Sequence, residues 1–586
     1  MNTILKGSVL GLIVALISCS ELKFGDEFLG DQPESSGATT EEMFSSKANA
    51  EKVLTKAYMG LPYGLPTSGD YKLGGNILES ITDLNQSFRD NISDGPMKLY
   101  YNGALSPTNA PRNAAYVYGG KADWTTIRYA WMYIENINQV PDITSQEKNR
   151  KIAEAKMLIA ISYFEMTRYL GGVNWLDHAI DVNEPMEFPR ITFAETIDNI
   201  VALLDEAIPN LVWKQSAEDD GRMTKAGAMA LKFKVLQWAA SPTFNSDQKW
   251  HPDADEFTCY GNYSVERWKR AEQAAKEFFA EVDKVSGYRL IQPEEDTHRA
   301  RRLAYRKAYY ERGGTETLIS TRVGYNPDTH SSFWNDRYYS GPTLNYVDMF
   351  PWEDGSNFPA DFDWKSPNRQ PFFMNTPEDG LVPTRDPRLY ENVACPGETY
   401  FNGTTAPVYS NHSAYKDGSG FLIMKYVLQD GGDRSGRAVQ WSYLRLAEIM
   451  LDYAEVITEA NGRPSDLAYG MINDVRKRVG LSEIPKGLNK ELFIEIVLKE
   501  KALELGFEEV RWFDLVRRNR QSDFTKKLYG LKSRGNDLTN PTEFTFEKFE
   551  LTERFWVSNW NTKWYLLPIP QNEINKDYGM TQNPGW

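Results

Sequence analysis

The sequence predicts a mostly α-helical protein, a scaffold of helical hairpins that carries long loops and a few short strands. Two observations predict it. Apolar residues recur at helical spacing along about 121–285 and again along 441–518. The tracts between, about 64–118 and 313–426, lose that period and fill with Gly, Asn, Pro and Asp, the residues of turns and long loops. No disordered linker divides the 586 residues.

Residues 1–18 read as a targeting segment. Lys6 supplies the positive end, and the apolar run from Val9 to Ile17, broken only by Gly11, is too short to span a bilayer core. Leu16-Ile17-Ser18-Cys19 resembles a bacterial lipobox, which makes Cys19 the candidate lipidation site. Two or more acyl chains would then hold an otherwise soluble chain at the membrane. Residues 19–40 are a polar tether.

A helix follows to about residue 61, before Pro62. The next helices are read at 123–140, 149–169, 192–211, 224–240 and 264–285, several of them punctuated by Gly. In 313–426, Leu318-Ile319-Ser320-Thr321 and 421–427 read as strands. In the last tract, Tyr443, Ala447, Met450, Ala454 and Ile457 line one helical face, closed by Asn461-Gly462 and Pro464. Ser465 can cap a second helix that ends at Gly480, and a third spans about 489–505. A hairpin of this kind cannot bury its seams alone, so the rest of the chain must pack on it.

The net charge of −15 disfavours a nucleic-acid partner. The five His show no metal-ligand spacing, and HExxH, GxSxG and P-loop motifs are missing, so no metal, cofactor or catalytic residue is expected. Cys259 and Cys395 can pair only if the fold brings them within reach. Glu448, Asp452, Glu455 and Glu459 form a row on one helix. A glycosidase needs two carboxyls flanking a bond, and a row neutralised by Arg445 and other nearby bases is a structural feature instead. Glu500 and Glu504 are expected to pair with Arg476, Arg511 or Arg517.

Several motifs together carry a family resemblance. They are Leu444-Arg445-Leu446-Ala447-Glu448 with Asp452-Tyr453-Ala454-Glu455, Asn473-Asp474-Val475-Arg476, Glu504-Leu505-Gly506-Phe507-Glu508 and Arg511-Trp512-Phe513-Asp514-Leu515. Tyr565-Leu566-Leu567-Pro568-Ile569-Pro570 and the terminal Gln582-Asn583-Pro584-Gly585-Trp586 complete the set. In this order they resemble the C-terminal part of the SusD/RagB family, surface glycan-binding lipoproteins of Bacteroidetes. The chain departs from the family pattern at Glu509, where Gly is usual, at Lys499 and Lys501, where Arg is commoner, and at Trp586. The resemblance implies a SusD-like fold with tetratricopeptide-like hairpins and one domain over 41–586. It also implies an outer-membrane location facing the exterior, a glycan ligand and a SusC-type TonB-dependent transporter as partner. A surface glycoside hydrolase and a peptide-capturing module are the alternatives.

Residues 325–375 hold 13 aromatics in 51 positions. Aromatic faces cover the apolar face of a sugar ring, and Asp, Asn and Arg hydrogen-bond its hydroxyl edge. Trp334, Tyr338 and Trp364, interleaved with polar residues, are the late ligand-binding candidates. Tyr71, Asp83 and Arg89 are the early ones. The other assignment for these rings is small cores beneath the loops. The two regions are expected to converge on one side of the scaffold.

Overall fold

A computed structural model of the chain describes residues 39–64, 77–88, 96–109, 121–322 except 182 and 186, 340–398, 418–426, and 440–586 except 538 and 539. The targeting segment, Cys19 and most of the tether lie outside the described residues. Local capping fixes where the main helices start. Helix α1 (Lys47–Tyr58) begins after Ser46, whose hydroxyl accepts from the Asn49 amide. Next come α2 (Lys121–Asn136), α3 (Ser145–Leu170, capped by Thr144) and α4 (Phe193–Ala207). Thr192 and Glu195 close a reciprocal capping box at the start of α4. Helices α5 (Lys225–Ala240) and α6 (Val265–Lys284) follow caps at Thr224 and Ser264. Each helix packs on the next, α1 on α2 through to α6, which is how hairpins too thin to bury their own seams make a continuous core.

Helix α7 (His298–Tyr310) was not expected. Its buried face is Ala304, Tyr305, Arg306, Ala308 and Tyr309, which shows no aliphatic stripe to read. The last hairpin follows: α8 (Leu446–Asn461) packs on α6 and on α9 (Asp466–Arg478) and α10 (Lys490–Leu505), and the short α11 (Arg511–Arg517) completes it. Ser465 caps α9, and Gly462 ends α8 at φ 72°. Tyr443, read above as the first residue of the α8 face, lies instead on a strand that ends at Arg445. Its spacing matched the helix, but the backbone there pairs with a second strand. Glu509, the departure from Gly, stands at φ 60°, in the left-handed region that favours glycine.

The described strands make antiparallel pairs. In chain order they are β1 (Asn85–Ser87), β2 (Thr317–Arg322), β3 (Ser340–Pro342), β4 (Phe373–Thr376), β5 (Gly380–Pro383), β6 (Val393–Ala394), β7 (Leu422–Ile423), β8 (Gln440–Arg445), β9 (Tyr529–Gly535) and β10 (Phe544–Glu550). The pairs are β1–β3, β2–β8, β4–β5, β6–β7 and β9–β10. The strand read over 421–427 reduces to β7.

Among the described residues two hydrophobic cores result. One lies between the helices. The other gathers Tyr305, Tyr346, Trp352, Trp364, Phe372 and Trp441 under the loop-rich region. A buried ionic seam joins the hairpin to that region. The Glu504 carboxylate accepts from Arg445 at 2.7 Å, from Arg388 at 3.2 Å and from Arg478. Arg478 also reaches Glu316 at 2.6 Å, and Glu508 meets Arg445 at 2.7 Å and Lys425 at 2.6 Å. Burial opposes the charge on Glu504, but the three guanidinium groups outweigh it and hold the carboxyl far below its usual range. Glu500 pairs with Arg476 at 2.9 Å as expected, and with Arg388 at 2.7 Å. Arg511 and Arg517 turn elsewhere, to Asp83 and Glu455.

The C-terminal segment reaches the end of the last hairpin. Tyr565 hydrogen-bonds Asn519, just past α11, at 2.7 Å. The segment also seals the end of α3: the Leu567 amide donates to the Tyr169 carbonyl at 2.8 Å, and Arg190 donates to Asn583 at 2.6 Å. Cys259 and Cys395 are both buried free thiols, which answers the open question of their pairing.

Candidate ligand-binding site

Two strand pairs gather the loop-bearing regions. In β1–β3, Asn85 faces Pro342, Gln86 faces Gly341 and Ser87 faces Ser340. Thr343 extends the junction, its amide donating to Leu84 O at 2.9 Å and its hydroxyl to Asp83 O at 2.6 Å. Arg554 clamps the early segment from below, donating to Gln86 Oε1 at 2.8 Å, Thr82 O at 2.8 Å and Asn85 O at 2.7 Å. The early and late regions therefore meet at one place. In the second pair, Arg322 faces Gln440 across β2–β8, and Thr321 donates to the Pro62 carbonyl beside it.

Of the candidate ligand residues, Tyr71, Arg89, Trp334 and Tyr338 lie outside the described residues. Asp83 and Trp364 are described, and both are buried. Asp83 is 1% exposed and is held by Arg511 and Lys526. Trp364 is 4% exposed and packs against Phe362, Phe372 and Phe546. The expectation that these two touch ligand is corrected: they support the loops from inside. The same holds for Trp352, whose ring is covered by Phe358 and by the Arg369 guanidinium at 4.0 Å. The described rings of this region are largely a core, because aromatic density serves a second hydrophobic centre as readily as a ligand platform.

Sequence reasoning missed a polar cleft of about 200 Å3 beside β2. Lys214, Asp220, Arg222, Tyr288, Thr317, Ser320 and Arg322 line it. Arg322 donates to Asp220 at 2.5 Å and to Gln440, while its buried Nε has no hydrogen-bond partner. Lys214 donates to the carbonyls of Gly287 at 3.1 Å and Gly314 at 3.3 Å, and partial burial lowers its pKa. Charged groups of both signs and hydroxyls over a small opening suit a polyhydroxylated ligand. The only sequence signals were two Gly turns, Asp220-Gly221 and Gly313-Gly314, far apart in the chain.

The carboxylate row does not face a cleft as an opposed pair. Lys234 bridges Glu448 at 2.7 Å and Asp452 at 2.6 Å, and Lys501 bridges Asp452 at 2.5 Å and Asp514 at 2.7 Å. Arg517 holds Glu455 at 2.6 Å and Arg518 holds Glu459 at 2.7 Å. The neutralising bases come from α5, α10, α11 and the residue that follows α11. Arg445, named above as one of them, is committed to Glu504 and Glu508. Each acid is tied to a base, an arrangement for packing rather than proton transfer. Among the described residues no group of three or more His, Cys, Asp or Glu is placed to hold a metal ion.

The helical-hairpin scaffold with its paired short strands is a SusD-like fold. The SusD family model matches residues 302–586. SusD-like protein P38 of Formosa agariphila is 24% identical over 432 residues, 70% of this chain and 73% of that protein. A solved SusD-like protein of Bacteroides fragilis superposes with a TM-score of 0.72 at 22% identity, covering 95% of this chain and 100% of that one. A SusD-like carbohydrate-binding protein of the same species gives 0.67 at 19% identity, covering 91% and 98%. The C-terminal part of the chain thus matches the SusD family, and the fold of the chain is SusD-like.

Proposed function

We propose that the protein captures a glycan at the loop-bearing face and passes it to a SusC-type TonB-dependent transporter. It does so as an outer-membrane lipoprotein, anchored through acylated Cys19 and facing the cell exterior. The observation that carries the reading is the in-register Ser87–Ser340 pairing, which unites the early and late regions of the chain. Tyr71, Arg89, Trp334 and Tyr338 belong to the segments flanking these junctions and supply the ring stacking and hydrogen bonds. The polar cleft at Lys214, Asp220 and Arg322 adds donors and acceptors of its own. A fold relative that is a carbohydrate-binding protein supports the ligand class.

The hydrolase alternative is disfavoured by the pairing of every acid in the carboxylate row. Among the described residues no helix is long and apolar enough to cross a membrane, and a lipid anchor needs none. Isothermal titration against plant, host and microbial glycans, with a peptide panel beside it, tests the reading. Binding of one glycan class without release of reducing ends is expected; binding of peptides alone overturns it.

A further inference from the structure

A second cleft, of about 540 Å3, shares no lining residue with the polar one and lies between the first turns of α2, the loop residues 174–180 and 188, and the turn at 573–578. Trp124, Leu176, Ile180 and Phe188 give it apolar walls; Arg128, His178, Lys576 and Tyr578 add polar atoms. Its walls are built before any ligand arrives. Asn174 donates to the Phe188 carbonyl, and the Asn174–Arg190 bridge closes the loop. Trp131 Nε1 donates to Leu176 O at 3.0 Å, and the Ala179 amide to Glu135 at 2.9 Å. The Arg190 amide donates to Gly579 O at 3.3 Å, holding the C-terminal turn against the loop.

The polar groups of these walls are engaged with one another. His178 sits between Asp177 at 2.7 Å and Glu184 at 2.8 Å. Glu573 takes Lys576 at 2.7 Å and the Tyr578 hydroxyl at 2.9 Å. Arg128 is the exception: it is exposed, and no described residue bonds or pairs with it. A hydroxyl-rich ligand would lose its water contacts here without replacing them. A flat ring with one negative end would cover the Trp124 and Phe188 walls and meet the guanidinium fork of Arg128. A volume of this size holds one small ligand.

We propose that this cleft is a second binding site, separate from the glycan face, and that it takes a small aromatic carboxylate. The test is isothermal titration of the full mature chain with cinnamate, with cinnamyl alcohol as the uncharged counterpart, and with glucuronate as a carboxylate on a sugar ring. Cinnamate is expected to bind at least tenfold more tightly than either of the others. Arg128→Gln, at an exposed position, should weaken cinnamate at least tenfold and leave cinnamyl alcohol unchanged. Ile180→Asp, which sets a carboxylate in the cleft, should abolish cinnamate binding while circular dichroism stays native. Glycan binding by both variants should equal that of wild type, so this proposal and the glycan reading fail separately. No cinnamate binding at millimolar concentration, undiminished binding by Arg128→Gln, or tighter binding of glucuronate overturns it. Loss of glycan binding in Arg128→Gln also overturns it, because the cleft would then belong to the glycan site.

Discussion

Asp83 and Arg511 meet through two parallel hydrogen bonds of 2.9 Å, across 428 residues of sequence. Lys526 adds a third contact at 2.7 Å. Burial opposes the charge on Asp83, and the two cations outweigh it, leaving the carboxyl far below its usual range. Asp83→Asn should therefore destabilise the fold by roughly 3–5 kcal/mol, the cost of leaving a buried partner uncompensated. A depressed folded pKa contributes stability above the unfolded value of about 3.9, and that contribution is lost as pH falls below it. Urea titrations at pH 6 and pH 3 should show a smaller acid loss in Asp83→Asn than in wild type. An equal loss in both would remove Asp83 from the acid response.

Trp364 and Trp334 should separate stability from binding. Trp364 is buried among Phe358, Phe362, Phe372 and Phe546, so Trp364→Ala should cost about 3–5 kcal/mol by thermal or denaturant unfolding. Trp334→Ala should leave the melting temperature unchanged and weaken glycan binding by ~1–3 kcal/mol, with base–aromatic stacking as the guide. Full-strength glycan binding by Trp334→Ala would remove that residue from the proposed site.

Glu79 is the reverse case to Asp83. It is buried, one carboxyl oxygen accepts the Glu509 amide at 2.7 Å, and the other has no hydrogen-bond partner. Burial first, then the charge of Glu509, pushes its pKa up to about 8. The folded protein holds the proton that the unfolded chain releases above about pH 4.3. Glu79 therefore costs nothing at low pH and destabilises progressively as pH rises toward 8. Glu79→Gln should flatten the fall in stability between pH 5 and pH 8 and be the more stable protein at pH 8. A wild-type slope in the variant refutes this.

The C-terminus is expected to be indispensable. Trp564, Tyr565, Leu566 and Ile569 belong to the main core, and Arg190 reaches both Thr581 and Asn583. Deleting 564–586 should expose the end of α3 and send the protein into the insoluble fraction. Asn583→Ala should be milder, about 1–3 kcal/mol for a buried guanidinium that loses one acceptor. A soluble truncated chain with an unchanged melt contradicts the assignment.

Anchoring rests on Cys19. Cys19→Ala should move the protein from the membrane fraction to the soluble one and remove acyl mass from the mature N-terminus. A variant that stays membrane-bound, with no acyl group on the wild type, excludes the anchor.

The sequence alone determined the helical scaffold and its stops. The helical spacing along 123–140, 192–211, 224–240 and 264–285, the cap at Ser465 and the stop at Gly462 act within one or two turns, so a linear reading contains them. The Glu509 departure was visible too, and φ 60° gives it a backbone meaning. Tertiary structure decided the rest. Tyr443 became a strand residue because β2 lies beside it, and α7 is held by burying tyrosine and alanine faces rather than an aliphatic stripe. Trp364 became core, and Asp83 became half of an ion pair. A buried ring and a ligand platform have the same composition, and a carboxylate is functional or structural according to which cation reaches it. Only the packing of distant segments sets solvent exposure and charge neighbours, and those two quantities separate a support from a contact.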